Sequence, residues 1–166
     1  MRVVLIAAIS ADGKIAQSPL QSSLAWTSKE DTAFFVEKTK EAGVVIMGRR
    51  TFETIGRPLK GRRLIVLSET PGAVEGVEYV NASPRDVIER LEREGVTQVV
   101  VGGGSSVYSQ FLHAGLVTDV YLTVEPILFG GGVHLAEGFD PIQLSLVEVT
   151  KLNAQTVLLH YQVAPS

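Results

Sequence analysis

The chain contains no cysteine, only three histidines and one tryptophan, and no hydrophobic run of membrane-spanning length. The absence of cysteine excludes a disulfide framework and any thiolate nucleophile, and it fits a reducing compartment. His113, His134 and His160 are scattered without ligand spacing, so they read as surface or packing residues and no bound metal is expected. No Gly-x-Ser-x-Gly elbow occurs, which leaves a serine hydrolase without support. An excess of positive charge is missing too: 15 Lys and Arg against 18 Asp and Glu give a formal net charge of -3. Binding to bulk nucleic acid usually leaves a basic footprint, so no nucleic-acid partner is expected. The most apolar early stretch, Val3 to Ile9, is broken by Ser10, Asp12 and Lys14. It falls far short of the ~20 residues of a membrane helix and makes a poor secretion signal. It reads as a buried first strand of a soluble, cytoplasmic protein without membrane partners.

What the chain does have is length and apolar content for one full-sized core: 166 residues, 45% of them hydrophobic, are expected to form a single domain over 1–166. Monomer is the default assembly, with homodimerisation through an exposed apolar patch as the alternative. Apolar runs alternate with helical patterns, the mark of a sheet fed by crossover helices. Strands are expected near 2–9, 44–47, 63–68, 77–80, 97–101, 118–124, 144–150 and 155–163, and helices near 28–42, 50–56, 84–94 and 106–113. The third helix carries clear signals, with Ser83 as cap, Pro84 and Asp86 in the first turn and Gly95 as stop. Asn153-Ala154 between two β-rich runs predicts a C-terminal antiparallel hairpin on a mainly parallel sheet. The longest irregular segment, Ser10 to Trp26, reads as a functional loop.

Two strand-to-helix junctions carry the chemistry. Val44-Val45-Ile46-Met47 runs into Gly48-Arg49-Arg50-Thr51, and Val99-Val100-Val101 runs into Gly102-Gly103-Gly104-Ser105-Ser106. At such a junction backbone N–H groups converge, and guanidiniums beside them complete a place for phosphate. Two of them suggest a dinucleotide held at both ends. A tight turn with close helix packing is the plainer alternative for the glycines, and a solvated basic face for Arg57, Arg62 and Arg63.

Thr27-Ser28-Lys29-Glu30-Asp31 opens the first helix. Thr27 and Glu30 have capping-box spacing, which accounts for Glu30. Asp31 then faces the core with Phe35 at i+4, as a partly buried carboxylate whose proton affinity is raised. Such a group donates a proton or anchors a heterocycle; the alternative is a second first-turn acid that only complements the helix dipole.

These residues resemble dihydrofolate reductases over nearly the whole chain. The match runs through Leu5-Ile6-Ala7-Ala8, Asp12 and Ile15, Trp26 with Asp31 five residues on, and Ile46 to Arg62. It continues through Gly102-Gly103-Gly104, Tyr108 with Gln110-Phe111-Leu112, and Tyr121-Leu122-Thr123. The resemblance implies a three-layer α/β fold of about eight strands and four helices that moves hydride from NADPH to the pterin of dihydrofolate. It implies Asp31 as the acid promoting N5 protonation, with Thr123 and Trp26 as its catalytic companions. It implies a folate pocket walled by Ile6, Ala8, Leu24, Phe35, Ile55 and Leu59, with Arg62 on the substrate's glutamate carboxylate. For the cofactor it implies Ala8, Ile15, Gly48, Arg49, Arg50, Thr51, Leu67, Ser68 and Glu69, then the run Val101, Gly102, Gly103, Gly104, Ser105, Ser106, Val107 and Tyr108. The Ser10–Trp26 segment corresponds to the mobile loop over the nicotinamide.

The chain departs from the family pattern at Ala25 before the tryptophan, Thr32 after the acid, Ser105-Ser106 after the glycines, and Glu69 where the 2′-phosphate would be met. A second resemblance, in Ser10 to Ala16, Trp26-Thr27-Ser28 and Glu125 to Gly132, is to the pyrimidine reductase domain of riboflavin biosynthesis. That domain reduces the ribosyl group of an aminopyrimidine phosphate. Ile55 to Arg62 is the folate-side segment and favours the first reading; a nucleotide-binding regulator without catalysis is a third.

Overall fold

The structure, a computed structural model, describes residues 1–165. In chain order the elements are β1 (Arg2–Ser10), β2 (Lys14–Ala16), α1 (Lys29–Ala42), β3 (Val44–Gly48), α2 (Arg49–Ile55), β4 (Arg63–Leu67) and β5 (Val77–Val80). They continue with α3 (Pro84–Arg93), β6 (Gln98–Val101), α4 (Ser105–His113), β7 (Asp119–Glu125), β8 (Val133–His134), β9 (Leu144–Lys151) and β10 (Val157–Val163). Eight strands form one sheet in the order β5-β4-β3-β6-β1-β7-β10-β9, while β2 and β8 make a separate two-stranded ribbon. All pairings from β5 to β7 are parallel; β10 runs antiparallel to both β7 and β9.

The expected mainly parallel sheet follows from unbroken apolar runs. Strands covered on both faces need no alternation, and Val4, Val45, Ile46, Ile65, Val99 and Val100 are all fully buried. On one face α1 lays Phe34 and Phe35 over Val4, Ile6, Val100 and Tyr121, and α2 lays Phe52 over Val45, Met47, Leu64 and Val66. On the other, Val87, Ile88 and Leu91 of α3 and Val107 and Phe111 of α4 close the larger core. The result is three layers. Among the described residues no helix is long and apolar enough to cross a membrane. At the far edge β9 is exposed along its whole length, including Leu144, Leu146, Val147 and Val149.

Two local expectations are corrected. The N-cap of α1 is Ser28, whose Oγ accepts from the Asp31 N–H at 3.2 Å, and Thr27–Glu30 form no capping box. The Glu30 carboxylate instead accepts from Asn153 Nδ2 at 3.2 Å, so a contact 123 residues away outcompetes the local one. Ser10–Trp26 is also less irregular than expected. It contains β2, paired with β8, and a 3-10 turn at Ser23–Ala25 capped by Ser22.

That segment is docked rather than loose. Asp12 accepts from the Ser10 hydroxyl at 2.5 Å and from the N–H groups of Phe129 and Gly130 at 3.1 and 2.8 Å. The Ser10 hydroxyl first, then those two N–H groups, hold its carboxyl down at about 2, so the clasp survives until pH falls that low. Beside it Gly132 has φ +115°, and a Cβ there would lie 2.3 Å from the Ala16 carbonyl oxygen. Only glycine fits both conditions. Gly132→Ala is expected to unseat the β2–β8 ribbon and speed proteolytic cleavage within residues 14–22; a wild-type digestion pattern would show that the ribbon does not need the close approach.

Candidate active site

The carboxyl ends of β1, β3 and β6, together with the start of α1, surround a cleft of about 860 Å³. Its position at the strand ends is where open α/β sheets bind ligands. The two glycine-bearing junctions meet here because β3 and β6 are neighbours. Gly48 N–H donates to the Gly103 carbonyl and Gly102 N–H to the Ile46 carbonyl, both at 2.8 Å. A Cβ on Gly48 would lie 3.0 Å from Val107 Cγ2, and one on Gly104 would lie 3.0 Å from Thr51 Oγ1. The glycines therefore serve close packing and at the same time open a backbone-lined cradle. Gly48 and Gly104 are the N-caps of α2 and α4 and make no side-chain cap bond, so the first N–H groups of both helices are left for a ligand.

Asp31 lines the cleft from the first turn of α1 and is only 8% exposed. Burial raises its proton affinity above the usual carboxylate range, the negative charge of Glu125 adds to the effect, and the neighbouring Thr123 hydroxyl opposes it. The Thr123 Oγ is itself buried and makes no hydrogen bond of normal length. Tyr108 closes the floor: its hydroxyl donates to the Ile6 carbonyl at 2.5 Å, and burial together with the Asp31 charge keeps the phenol protonated.

Of the residues singled out from sequence, Ile6, Ala8, Leu24, Phe35, Ile55, Leu59 and Arg62 line the cleft with Asp31. So do Ile15, Gly48, Arg49, Arg50, Thr51, Leu67, Gly102, Gly103, Gly104, Ser105, Ser106, Val107 and Tyr108. Val101, Ser68, Glu69, Thr123 and Trp26 are not wall residues. Val101 is core beneath the floor, and Trp26 stands edge-on to Phe129 with centroids 5.0 Å apart and its ring N–H buried without a partner. Glu69 is exposed beyond the end of β4.

Arg49 is not a free cation. Its guanidinium donates to Ser68 Oγ at 2.9 Å and to Thr70 and Pro71 oxygens, and it pairs with Glu53 at 3.3 Å, tying the 68–71 turn to α2. Arg50 is exposed at the rim. Arg62 is half-buried and aimed by bonds to Thr39 Oγ1 at 3.0 Å and the Lys60 carbonyl at 3.1 Å. Arg63, by contrast, belongs to a ring with Glu78, Glu94 and Arg90 outside the cleft. Sequence reasoning missed Gln21, Ser22, Val36, Thr54 and Val133 as wall residues. Val36 and Thr54 were within reach, one helical turn from Thr32 and Thr51 respectively; Val133 carries no local signal, because β2 brings it in from 117 residues away.

The sequence profile of the family described as dihydrofolate reductase matches residues 2–154. This chain belongs to that family. A dihydrofolate reductase type 3 from Salmonella typhimurium is 35% identical over 138 residues, covering 82% of this chain and 80% of that one. Among solved structures, a putative riboflavin biosynthesis protein from Shewanella sp. PV-4 superposes with a TM-score of 0.86 at 22% identity, over 99% of this chain and all of the other. A pyrimidine reductase-like protein from Corynebacterium diphtheriae gives 0.82 at 15%, over 99% and 92%. The two structural neighbours establish the dihydrofolate-reductase-like fold, while the sequence match makes the chain a member of a reductase family and so an oxidoreductase.

Proposed function

We propose that this dihydrofolate reductase family member reduces 7,8-dihydrofolate to 5,6,7,8-tetrahydrofolate with NADPH. The observation that supports this most is the buried Asp31, its proton affinity raised by burial, in the same cleft as the guanidinium of Arg62. A pterin needs a hydrogen-bonding acid, and a substrate tail ending in carboxylate needs a planar cation at the mouth. NADPH supplies the hydride. The uncapped starts of α2 and α4 and the glycine cradle fit its phosphates, with Arg50, Thr51, Ser105 and Ser106 beside them. Asp31 anchors the pterin and promotes protonation of N5, so one hydride and one proton saturate the C6–N5 double bond. The buried, unpartnered hydroxyl of Thr123 is available to the carboxyl, and Phe35, Ile55 and Leu59 wall the ring from water.

A second reading, reduction of a ribosylaminopyrimidine phosphate, is favoured by the full-length superposition on the riboflavin-pathway protein and by the hydroxyl of Thr32 in the cleft wall. The two are separated by following NADPH oxidation with each substrate under identical conditions. Turnover with dihydrofolate alone supports the proposal; turnover with the aminopyrimidine alone replaces it.

Cofactor choice gives a further test. Glu69 follows Ser68, which Arg49 holds, and on this reading its carboxylate meets the 2′-phosphate of the cofactor. Glu69→Arg is expected to lower KM for NADPH while leaving KM for NADH nearly unchanged, with the gain shrinking as salt is raised. Equal changes for both cofactors would place the 2′ position elsewhere.

A further inference from the structure

Glu125, at the end of β7, is 2% exposed, and the reaction outlined above makes no use of it. A buried carboxylate persists only where its oxygens are engaged, and both are. Oε2 accepts from the backbone N–H of Ser28, and Oε1 accepts from the Thr156 hydroxyl at 2.8 Å. Ser28 is the N-cap of α1, and its own Oγ accepts from the Asp31 N–H at 3.2 Å. A continuous chain of bonds therefore runs from the β9–β10 turn through Glu125 to the cap of α1 and on to the backbone of Asp31. The same strand, two residues earlier, carries Thr123 against the Asp31 carboxyl.

We propose that Glu125 is the positioning residue for Asp31: it fixes the start of α1 against β7 and keeps a second negative charge behind the acid. The inference rests on Asp31 being the proton-handling group of the cleft. Two carboxylates sharing a dry site disfavour a second ionisation, so the charge of Glu125 helps Asp31 hold its proton. The ionisable groups around the pair are Asp31 and Glu30 on α1, the latter engaged by Asn153, and Tyr108 on α4, which is protonated. His160, further along β10, is engaged by Asp119 at 2.9 Å.

The sign follows directly. Removing the Glu125 charge makes ionisation of Asp31 easier, so Asp31 loses its proton at lower pH. The test is the titration of the Asp31 side chain, read by carbon NMR on selectively labelled protein without substrate, in wild type and Glu125→Gln. The expected result is a downward displacement of the titration, as loss of a nearby like charge requires. The high-pH limb of the kcat profile is expected to move with it. A folded Glu125→Gln whose Asp31 titrates as in wild type overturns the proposal. Should that variant not fold, Thr156→Val decides: cutting one arm of the carboxylate must move the Asp31 titration and speed exchange of the Ser28 amide, and no movement overturns the proposal equally. Because the titration needs no substrate, a wild-type enzyme inactive on dihydrofolate would overturn the functional reading without touching this one.

Discussion

Asp31→Asn is expected to lower the rate of dihydrofolate reduction by about 10²–10⁴, the usual share of a positioned acid, with NADPH affinity little changed. The carboxamide keeps the shape and some hydrogen bonds but loses the exchangeable carboxyl proton. The pH profile carries the signature. In wild type the protonated fraction falls as pH rises through the raised value, so the rate falls with it; in the variant that limb disappears. Stability falls over the same pH range. A carboxyl whose folded proton affinity is raised contributes stability that is full below its unfolded value and lost as pH rises through the folded one. Above that range the ionised Asp31 is a burden on the fold, and there the neutral variant should melt higher than wild type. Single-turnover rates and melting curves from acid to neutral pH check both halves. Wild-type rates throughout would remove Asp31 from the chemistry.

Arg62→Leu is expected to weaken dihydrofolate binding by roughly tenfold to a hundredfold while leaving NADPH binding intact. The lower figure allows for the solvent that reaches this half-buried side chain. Its guanidinium is already directed by Thr39 and Lys60, so little side-chain entropy is lost when it meets a carboxylate. Leucine keeps the packing of the stem and removes the charge. A titration with dihydrofolate shortened to remove its glutamate should then bind wild type and variant alike. Unchanged affinity for the full substrate would leave Arg62 a structural tie between α1 and the segment before β4.

Much of this architecture was legible because it rests on local signals. Buried strands announce themselves as Val- and Ile-rich runs, and the α3 cap and stop lie where Ser83, Pro84 and Gly95 put them. Asp31 was legible because one helical period relates it to Phe35. What escaped depends on distant partners. Thr27–Glu30 and Ser28–Asp31 have the same spacing, and distant partners separate them: Asn153 takes the Glu30 carboxylate and Glu125 the Ser28 N–H. The strands of the β2–β8 ribbon are three and two residues long, too short to show alternation. Glu125 read as one member of a glycine-rich segment, since nothing local says that Ser28 and Thr156 will enclose it. Arg49 read as an open cation because the turn that consumes it lies 19 to 22 residues onward.

The sheet order has a consequence for synthesis. Of the strands of this sheet β1 leaves the ribosome first, and it ends up between β6 and β7, whose pairing partners begin at Gln98 and Asp119. Its apolar side chains must wait for that sequence to be translated, on the order of 5–20 s at ordinary elongation rates. Until then the nascent chain carries an unpaired, aggregation-prone segment, and β3 to β5 can assemble only the outer half of the sheet. Folding of this protein is thus gated by its last third, and a stalled or truncated product would expose the very strand that forms the floor of the cleft.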